Sequence, residues 1–378
     1  MPNPSLNALP TPCLLVDEAR MQANIDAMNA QLQRLGVPLR PHLKTCKNIE
    51  IARAMLAGHP GAAAVSTLAE ADYFFRHGIT DLLYAVGIAP GKLAAVAERI
   101  EAGMDLTIIL DQAATANAVV SAGRQLGCRF RVMLEIDADG ARAGFRPDDP
   151  DLVSTARKLV EAGADLAGVM VHAGGSYGCS SRQAIVDMAA TERRAAVTAA
   201  ERLGAHGLQC RQVSVGSTPT ALRAQDLAGV SEVRAGVYVF QDLVMAGLGI
   251  CTESEIAVSV LTEVIGHRKA QGQVLVDAGW MALSRDRGTA SQARDRGYGL
   301  VRDLDGSDLG EVIVQTTNQE HGILAGPDNA AVRLADFPVG RRLRILPNHA
   351  CATAAQHAHY WLLDNQEPAR LLRRCNGW

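Results

Sequence analysis

The chain has 378 residues, 48% of them hydrophobic and 20% charged, with a formal net charge of −3. That length exceeds what one core usually fills and predicts two or three domains, while the composition excludes a disordered chain. The small net charge and 4% aromatic content argue against a nucleic-acid partner, which calls for a basic face and stacking platforms. The start, Met1-Pro2-Asn3-Pro4, has neither the basic nor the apolar region of a secretory signal. No apolar run approaches the roughly 20 residues of a membrane helix. Eight scattered cysteines without a Cys-x-x-Cys pair read as reduced thiols, which predicts a cytoplasmic protein.

In chain order, residues 12–16 predict a short strand closed by Asp17. Glu18–Leu35 predicts a helix, with Met21, Ile25, Met28, Leu32 and Leu35 at helical spacing. From Val37 a strand–helix rhythm sets in. Strands are expected at 37–44, 61–67, 81–86, 106–111, 129–137, 166–173, 211–217 and 232–240. Helices are expected at 47–58, 68–77, 90–103, 112–126, 150–164, 182–204 and near 220–228. Eight short, continuous apolar runs are the pattern of strands buried on both faces. They predict an α/β protein built on a closed (β/α)8, or TIM, barrel. An open doubly wound sheet is the runner-up, but no Gly-x-Gly-x-x-Gly turn follows the first strand. The strand at 12–16 is then one too many and is expected outside the barrel, paired with the C-terminal region. After Cys251 helical periodicity fades, and segments 255–266, 273–278, 311–317 and 341–346 read as strands of a second, mainly antiparallel β domain. The expected division is a barrel over 13–250 and a β domain over 251–378 that also takes in 1–12.

In a barrel of this kind, functional side chains come from the C-terminal ends of the strands. The polar and glycine-rich punctuation falls there: Lys44 in Arg40-Pro-His-Leu-Lys-Thr45, Ser66 and Thr67, Arg142, His172 running into Ala-Gly-Gly-Ser-Tyr177, Gly216-Ser217-Thr218, and Arg234-Ala-Gly236-Val-Tyr238. A lysine beside a histidine and a stiffening proline suits a carbonyl partner. Gly216-Ser217-Thr218 offers free backbone N–H groups and two hydroxyls before a short helix, the makings of a phosphate cradle, and Gly236 lets a backbone amide approach the same phosphate. A lysine, a phosphate cradle and an arginine around one mouth point to pyridoxal phosphate. In the second domain, His349-Ala-Cys351 on an extended segment puts imidazole and thiol on one face, a pair suited to zinc or a neighbouring metal with positions left open. Glu320-His321-Gly322 is a third polar cluster. His357 and His359 are placed on a surface helix without a role.

Together these motifs, with Gln319-Glu-His-Gly322 and Pro347-Asn-His-Ala-Cys351, resemble the fold-type III pyridoxal-phosphate enzymes, the alanine-racemase-like proteins, and within them the metal-dependent D-serine dehydratase and D-threonine aldolase group. The likeness covers essentially the whole chain, and Asp277-Ala-Gly-Trp-Met-Ala-Leu-Ser-Arg-Asp-Arg-Gly288 and the terminal Asn-Gly-Trp378 add to it. The resemblance implies that Lys44 is the Schiff-base lysine, that Arg142 bonds the cofactor's phenolic oxygen, and that His172 lies against its ring. It implies that Gly216, Ser217, Thr218, Gly236 and the backbone near Tyr238 hold the phosphate. It implies further that His349 and Cys351 bind a divalent metal (zinc, manganese or magnesium), that Tyr177 lies near the substrate, and that the protein is a homodimer with active sites near the interface. Where the family often has His-Lys after Lys-Thr, this chain has Cys46-Lys47.

The metal motif divides the group: aldolases carry His-x-Asp and dehydratases His-x-Cys. His349-Ala-Cys351 therefore implies β-elimination of a D-3-hydroxy amino acid, D-threo-3-hydroxyaspartate or D-serine, to a 2-oxo acid and ammonia, with the metal acting on the β-hydroxyl. Retro-aldol cleavage to glycine and an aldehyde is the alternative. Racemisation, which needs no metal, and a single-barrel cofactor carrier are weaker readings; the second domain counts against the carrier. A hydroxyaspartate would need a cationic partner for its second carboxylate, and Arg285 or Arg287 is the candidate.

Overall fold

The computed structural model describes residues 5–365 and 367–378. The chain opens with β1 (Cys13–Asp17) and α1 (Glu18–Leu35), whose Met21, Ile25, Met28 and Leu32 are buried as their spacing requires. Eight strand–helix units follow: β2 (Leu39–Pro41), α2 (Ile49–Leu56), β3 (Ala63–Val65), α3 (Leu68–Arg76), β4 (Asp81–Gly87), α4 (Leu93–Glu101), β5 (Asp105–Leu110), α5 (Ala113–Leu126), β6 (Arg131–Ile136), α6 (Pro150–Glu161), β7 (Asp165–Val171), α7 (Arg182–Ala205), β8 (Gln212–Val215), α8 (Thr218–Arg223), β9 (Glu232–Ala235) and α9 (Leu243–Gly247). Local chemistry sets many of these boundaries. Asn48 caps α2 by accepting from the amides of Glu50 and Ile51, Asp149 caps α6 with Pro150 at its first turn, and α5 stops at the left-handed Gly127.

Two compact units result. One holds Ala27–Gly236 with Cys375–Trp378; the other holds the chain up to Asp26 with Val237–Arg374. The expected spans differ from these at both ends. β1 joins the second sheet, and after Ala235 the chain leaves the barrel for a 3-10 turn (Val237–Val239).

In the first unit, β2 to β9 form one all-parallel sheet in the order β2-β9-β8-β7-β6-β5-β4-β3. Its edges meet at a parallel bridge between His42 and Ala64, where the Leu43 amide donates to the Ala64 carbonyl at 2.8 Å. The (β/α)8 barrel expected from the sequence is thereby nearly closed. Ala64, Leu83, Ile109, Met133, Ala167 and Met170 make a continuous buried cluster across β3 to β7. At the N-terminal ends of the strands, ion pairs stitch neighbours together. Arg40 on β2 reaches Glu232 on β9 at 2.8 Å and Asp81 on β4 at 2.7 Å. Arg131 pairs with Asp105 and Asp165, and Arg211 also reaches Asp165 at 2.6 Å. The C-terminal ends are left to the loops.

The second unit adds β10 (Val258–Arg268), β11 (Gln273–Val276), α10 (Trp280–Leu283), β12 (Leu300–Asp303), β13 (Asp308–Thr317), β14 (Gly322–Ala325), β15 (Arg342–Leu346), α11 (Ala350–Ala354), β16 (His359–Asp364) and β17 (Glu367–Arg373). With β1 they form a nine-stranded sheet, β11-β14-β13-β12-β15-β10-β1-β16-β17, antiparallel except where β1 runs parallel to β16. The long β10 bends at a bulge between Val264 and Gly266 and pairs with β11 as well, so that six of the strands close on themselves. β12, β14, β16 and β17 were not expected. Each of the first two is only four residues long, too short for alternation to stand out. His359 starts β16 and His357 lies in the turn before it, its Nε2 3.0 Å from the Ala282 carbonyl, so neither sits on the expected surface helix.

Candidate active site

The barrel mouth gathers most of the predicted residues. β2 stops at Pro41, three residues short of Lys44, because the His42–Ala64 bridge turns the chain and Leu43 accepts from the Lys47 amide at 2.8 Å. Lys44 therefore stands exposed on a tight turn beyond the strand, its amide 3.4 Å from His42 Nδ1. Burial holds the His42 imidazole well below its usual range, and the charges of Lys44, Arg234, His172 and Arg142 push the same way. His172, just past the end of β7, is half-buried, and its loss of solvation drives it down to about 4. Its Nδ1 lies 3.0 Å from the Gly216 carbonyl, a bond that only partly offsets burial and the charges of Arg142, Arg234 and Lys44. Both rings are neutral at pH 7. Tyr177 is 39% exposed, its ring centroid 6.4 Å from that of His172.

Arg142 is exposed on a loop that Asp137 and Asp139 organise. Asp137 accepts from the Asp139 and Gly140 amides, and Asp139 from the Ala141 and Gly175 amides. The last of these ties the Arg142 loop to the His172–Tyr177 segment.

The Gly216-Ser217-Thr218 corner departs from expectation. The Gly216 amide donates to Glu192 at 3.1 Å and the Ser217 amide to Thr220 Oγ1 at 3.0 Å, so these two N–H groups are not free. The cause is local: Glu192 is buried on α7 and needs donors, and Ser217 with Thr220 forms a capping box for α8, which begins earlier than expected, at Thr218. What the corner does offer is hydroxyls and close backbone packing. Ser217 Oγ lies 3.0 Å from Ser176 Oγ. Gly216 has φ +129°, and a Cβ there would fall 2.3 Å from the Arg234 carbonyl. A Cβ on Gly236 would fall 2.7 Å from the His42 carbonyl. Only glycine fits either place.

Sequence reasoning gave no role to Glu192, Glu135 or Arg234, which knit the mouth together from within. Arg234 donates to Ser214 Oγ at 2.5 Å and to the Val171 carbonyl at 2.6 Å. Burial raises both the Glu135 and Glu192 carboxyls. Buried charges leave no periodic trace; the one available signal was a charged residue within the apolar runs of β6 and β9, and Glu192 on α7 gave none.

Tyr238 is in the second unit, fully buried in the Val237–Val239 turn. There the metal motif is assembled in a way the sequence did not predict. His349 has extended backbone but caps α11, so Cys351 sits on the first helical turn and not on an extended strand. The two side chains nevertheless hydrogen-bond to each other. On its other side, His349 Nδ1 is 2.9 Å from Asp286 Oδ2. Burial alone would lower the His349 imidazole. Its bonds to Asp286 and Cys351, with the nearby Asp242 charge, raise it to about 11 instead. Asp242 is buried and accepts from the Ala350 and Met245 amides, both at 2.9 Å. Asn348 locks the preceding turn by donating to the carbonyls of Asp286 and Gly297. Among the described residues no group of three or more His, Cys, Asp or Glu side chains converges as a closed cage. Asp286 was missed; its position between Arg285 and Arg287 hid it. Arg287 is committed to Asp295 at 2.6 Å and to the Tyr298 ring, whereas Arg285 stacks on Trp280 at 4.4 Å. Glu320 and His321 form an exposed hairpin tip.

A parallel eight-stranded barrel with a lysine, two neutral imidazoles and glycine-lined corners at its mouth, followed by an antiparallel β domain, defines an alanine racemase-like fold. Comparison with known proteins narrows this. Residues 16–243 match the family described as "Alanine racemase, N-terminal domain", and residues 257–363 the family described as "Putative serine dehydratase domain". The chain is 48% identical to D-threo-3-hydroxyaspartate dehydratase of Delftia sp. (strain HT23), over 99% of each chain. It is 31% identical to D-serine dehydratase of Dictyostelium discoideum, over 96% of this chain and 95% of that one. A solved structure of a cysteine-to-alanine mutant of D-threo-3-hydroxyaspartate dehydratase, in the metal-free form, superposes with a TM-score of 0.97 at 48% identity, covering 99% of this chain and 100% of that one. The chain belongs to the alanine racemase-like family in which this N-terminal domain is followed by a serine dehydratase domain.

Proposed function

We propose that the protein is a pyridoxal-phosphate- and divalent-metal-dependent dehydratase that converts a D-3-hydroxy amino acid, D-threo-3-hydroxyaspartate or D-serine, to a 2-oxo acid and ammonia. The observation that carries this reading is the His349–Cys351 pair, hydrogen-bonded together and oriented by Asp286, in a chain whose relatives of highest stated identity are dehydratases. Both groups fit the residues present. Gly216 and Gly236 pack so closely on the Arg234 and His42 backbones that neither admits a Cβ, and the buried hydroxyls of Ser217 and Thr218 beside them suit a phosphate group. An imidazole and a thiol with a carboxylate behind the imidazole make a nitrogen–sulfur donor set with open positions, which suits zinc.

When bound, the cofactor draws electron density from the substrate's Cα and the cation polarises its β-hydroxyl. Lys44 would hold the cofactor, and its Nζ would take the proton from the substrate's Cα. Its exposed place on a tight turn leaves it free to move between these tasks. Arg142 would hold the phenolic oxygen, and neutral His172 would face the ring without adding charge. Ser217, Thr218, Gly216, Gly236 and the backbone near Tyr238 would hold the phosphate. Tyr177 flanks the substrate. His349 and Cys351 hold the cation. Arg285, not engaged in an ion pair with its neighbours as Arg287 is, takes the second carboxylate of a hydroxyaspartate. The protein works as a cytoplasmic homodimer with active sites near the interface, which light scattering of the purified enzyme checks.

Product identification tests the reading. Incubation with pyridoxal phosphate and a divalent metal should give ammonia with oxaloacetate or pyruvate from D-threo-3-hydroxyaspartate or D-serine. Glycine and an aldehyde would establish the aldolase reaction instead. Arg285→Ala should lose preference for hydroxyaspartate over D-serine, and unchanged discrimination would remove Arg285 from the scheme.

A further inference from the structure

Helix α7 packs on β7 and β8 with one stripe of buried side chains: Ile185, Ala189, Glu192, Ala196, Ala199 and Leu203, spaced three and four residues apart. Glu192 is the one polar member of that stripe and is only 2% exposed. A carboxyl in such a place costs free energy unless its oxygens are bonded, whereas a leucine or an alanine would pack there without that cost. The alanines on either side leave the helix close enough for a glutamate to reach the strand ends.

Glu192 Oε1 accepts from the Ala173 amide at 2.9 Å and from the Gly216 amide at 3.1 Å. These two amides lie just past the C-terminal ends of β7 and β8, which are neighbours in the barrel. One follows His172, and the other opens the Gly216-Ser217-Thr218 corner. A peptide unit is planar, so fixing its N–H also fixes the carbonyl on its opposite side. Two further contacts complete the link. His172 Nδ1 lies 3.0 Å from the Gly216 carbonyl, and Ser176 Oγ lies 3.0 Å from Ser217 Oγ. The Thr220 side chain, which accepts from the Ser217 amide, also hydrogen-bonds Glu192. Burial raises the Glu192 carboxyl, and the bonds from Ala173, Thr220 and Gly216, with the Arg234 charge, work against that.

We propose that Glu192 is a positioning residue of the cofactor site: one buried oxygen ties the peptide after His172 to the peptide entering Gly216, and so sets the imidazole and the phosphate corner in register. The proposal rests on the pyridoxal-phosphate reading above. It accounts for a carboxyl in an otherwise apolar stripe and for the use made of the Gly216 amide. Glu192 acts through the two loops that it holds.

The test compares the parent with Glu192→Asp, Glu192→Met and Glu192→Gln, all full-length, freed of cofactor and titrated with pyridoxal phosphate by absorbance. Urea denaturation of the same samples reports stability. Aspartate keeps the charge but ends one methylene short of the two amides. Methionine fills the length of the stripe without an acceptor. Glutamine keeps an acceptor oxygen at full reach, and its amide group can donate to the Thr220 hydroxyl. Glu192→Asp and Glu192→Met should each bind pyridoxal phosphate about ten- to a hundredfold more weakly than the parent. Glu192→Gln should stay within about fivefold of the parent. Parent-like affinity in a folded Asp or Met variant would overturn the proposal; a lowered urea midpoint with unaltered affinity is what a merely structural carboxyl gives. An equal loss in Glu192→Gln would assign the effect to charge instead of to the bridge, and would overturn it too. A parent that does not bind pyridoxal phosphate overturns the cofactor reading itself, and this proposal with it.

Discussion

A single hydrogen bond decides how the proposed metal pair behaves. Asp286 fixes the His349 ring from behind, so the ring's other edge faces Cys351. Partners of this kind behind a metal ligand typically contribute 10–100-fold in affinity. Asp286→Asn should therefore weaken divalent-metal binding by about that factor, measured by competition with a chromophoric chelator, while the absorbance of bound pyridoxal phosphate stays unchanged. His172 offers a second reading at this scale. Its folded value of about 4 lies below the ordinary 6.5. Between those limits the unfolded chain binds a proton that the folded chain refuses, so His172 removes stability as pH falls from about 6.5 to 4 and restores it as pH rises. Its ring proton resonances should still report a neutral imidazole at pH 5.5. Titration near 6.5 would mean that the ring is solvated.

At the scale of elements, the barrel's ends divide the labour. The N-terminal ends of its strands carry structural ion pairs and the C-terminal ends carry the residues proposed for the site, the usual division for this architecture. Arg40 ties β2 to β9 and β4. Replacing it by leucine leaves Glu232 buried and uncompensated, which should cost about 3 kcal/mol in urea denaturation. Asp165 at the start of β7 behaves differently. Burial would raise its carboxyl, but the bonds from Arg211 and Arg131 outweigh that and hold it below the ordinary range. Its contribution is present above the unfolded value near 3.9 and is lost as pH falls through the lower folded value. Asp165→Asn should cost about 1 kcal/mol at pH 7, and that deficit should vanish in strong acid.

For the molecule as a whole, much of the architecture was legible because α/β units write their period plainly. Helix α1 was placed residue for residue, and the extra strand at the start was correctly assigned to the C-terminal sheet. Strand ends were less legible. β2 has three residues where eight were expected, because an apolar run records burial, and Leu43, Thr45 and Cys46 are buried on either side of the exposed Lys44 although the strand has already ended. At the site, residue types were readable and their local geometry was not. The His-x-Cys spacing was read as an extended segment, yet a helix start brings the pair together. The amides at Gly216 and Ser217 were read as free, yet Glu192 and Thr220, three and more residues away in sequence, take them up. Glu192 could not be identified from a local pattern, whereas the Ser217-x-x-Thr220 capping box could have been.

The position of β1 has a consequence for how the protein is made. This strand lies between β10 and β16, both more than 200 residues further along the chain. The nascent chain must hold four apolar residues and Asp17, all buried in the finished sheet, without a mate while more than 200 others are synthesised. Only then can the sheet close around it. Chaperone demand should thus fall on this segment, and a fragment spanning 237–378 should stay insoluble when expressed alone yet be recovered by co-expression of residues 1–26. Recovery of that fragment without them would show that β1 arrives as a late addition to a sheet already formed.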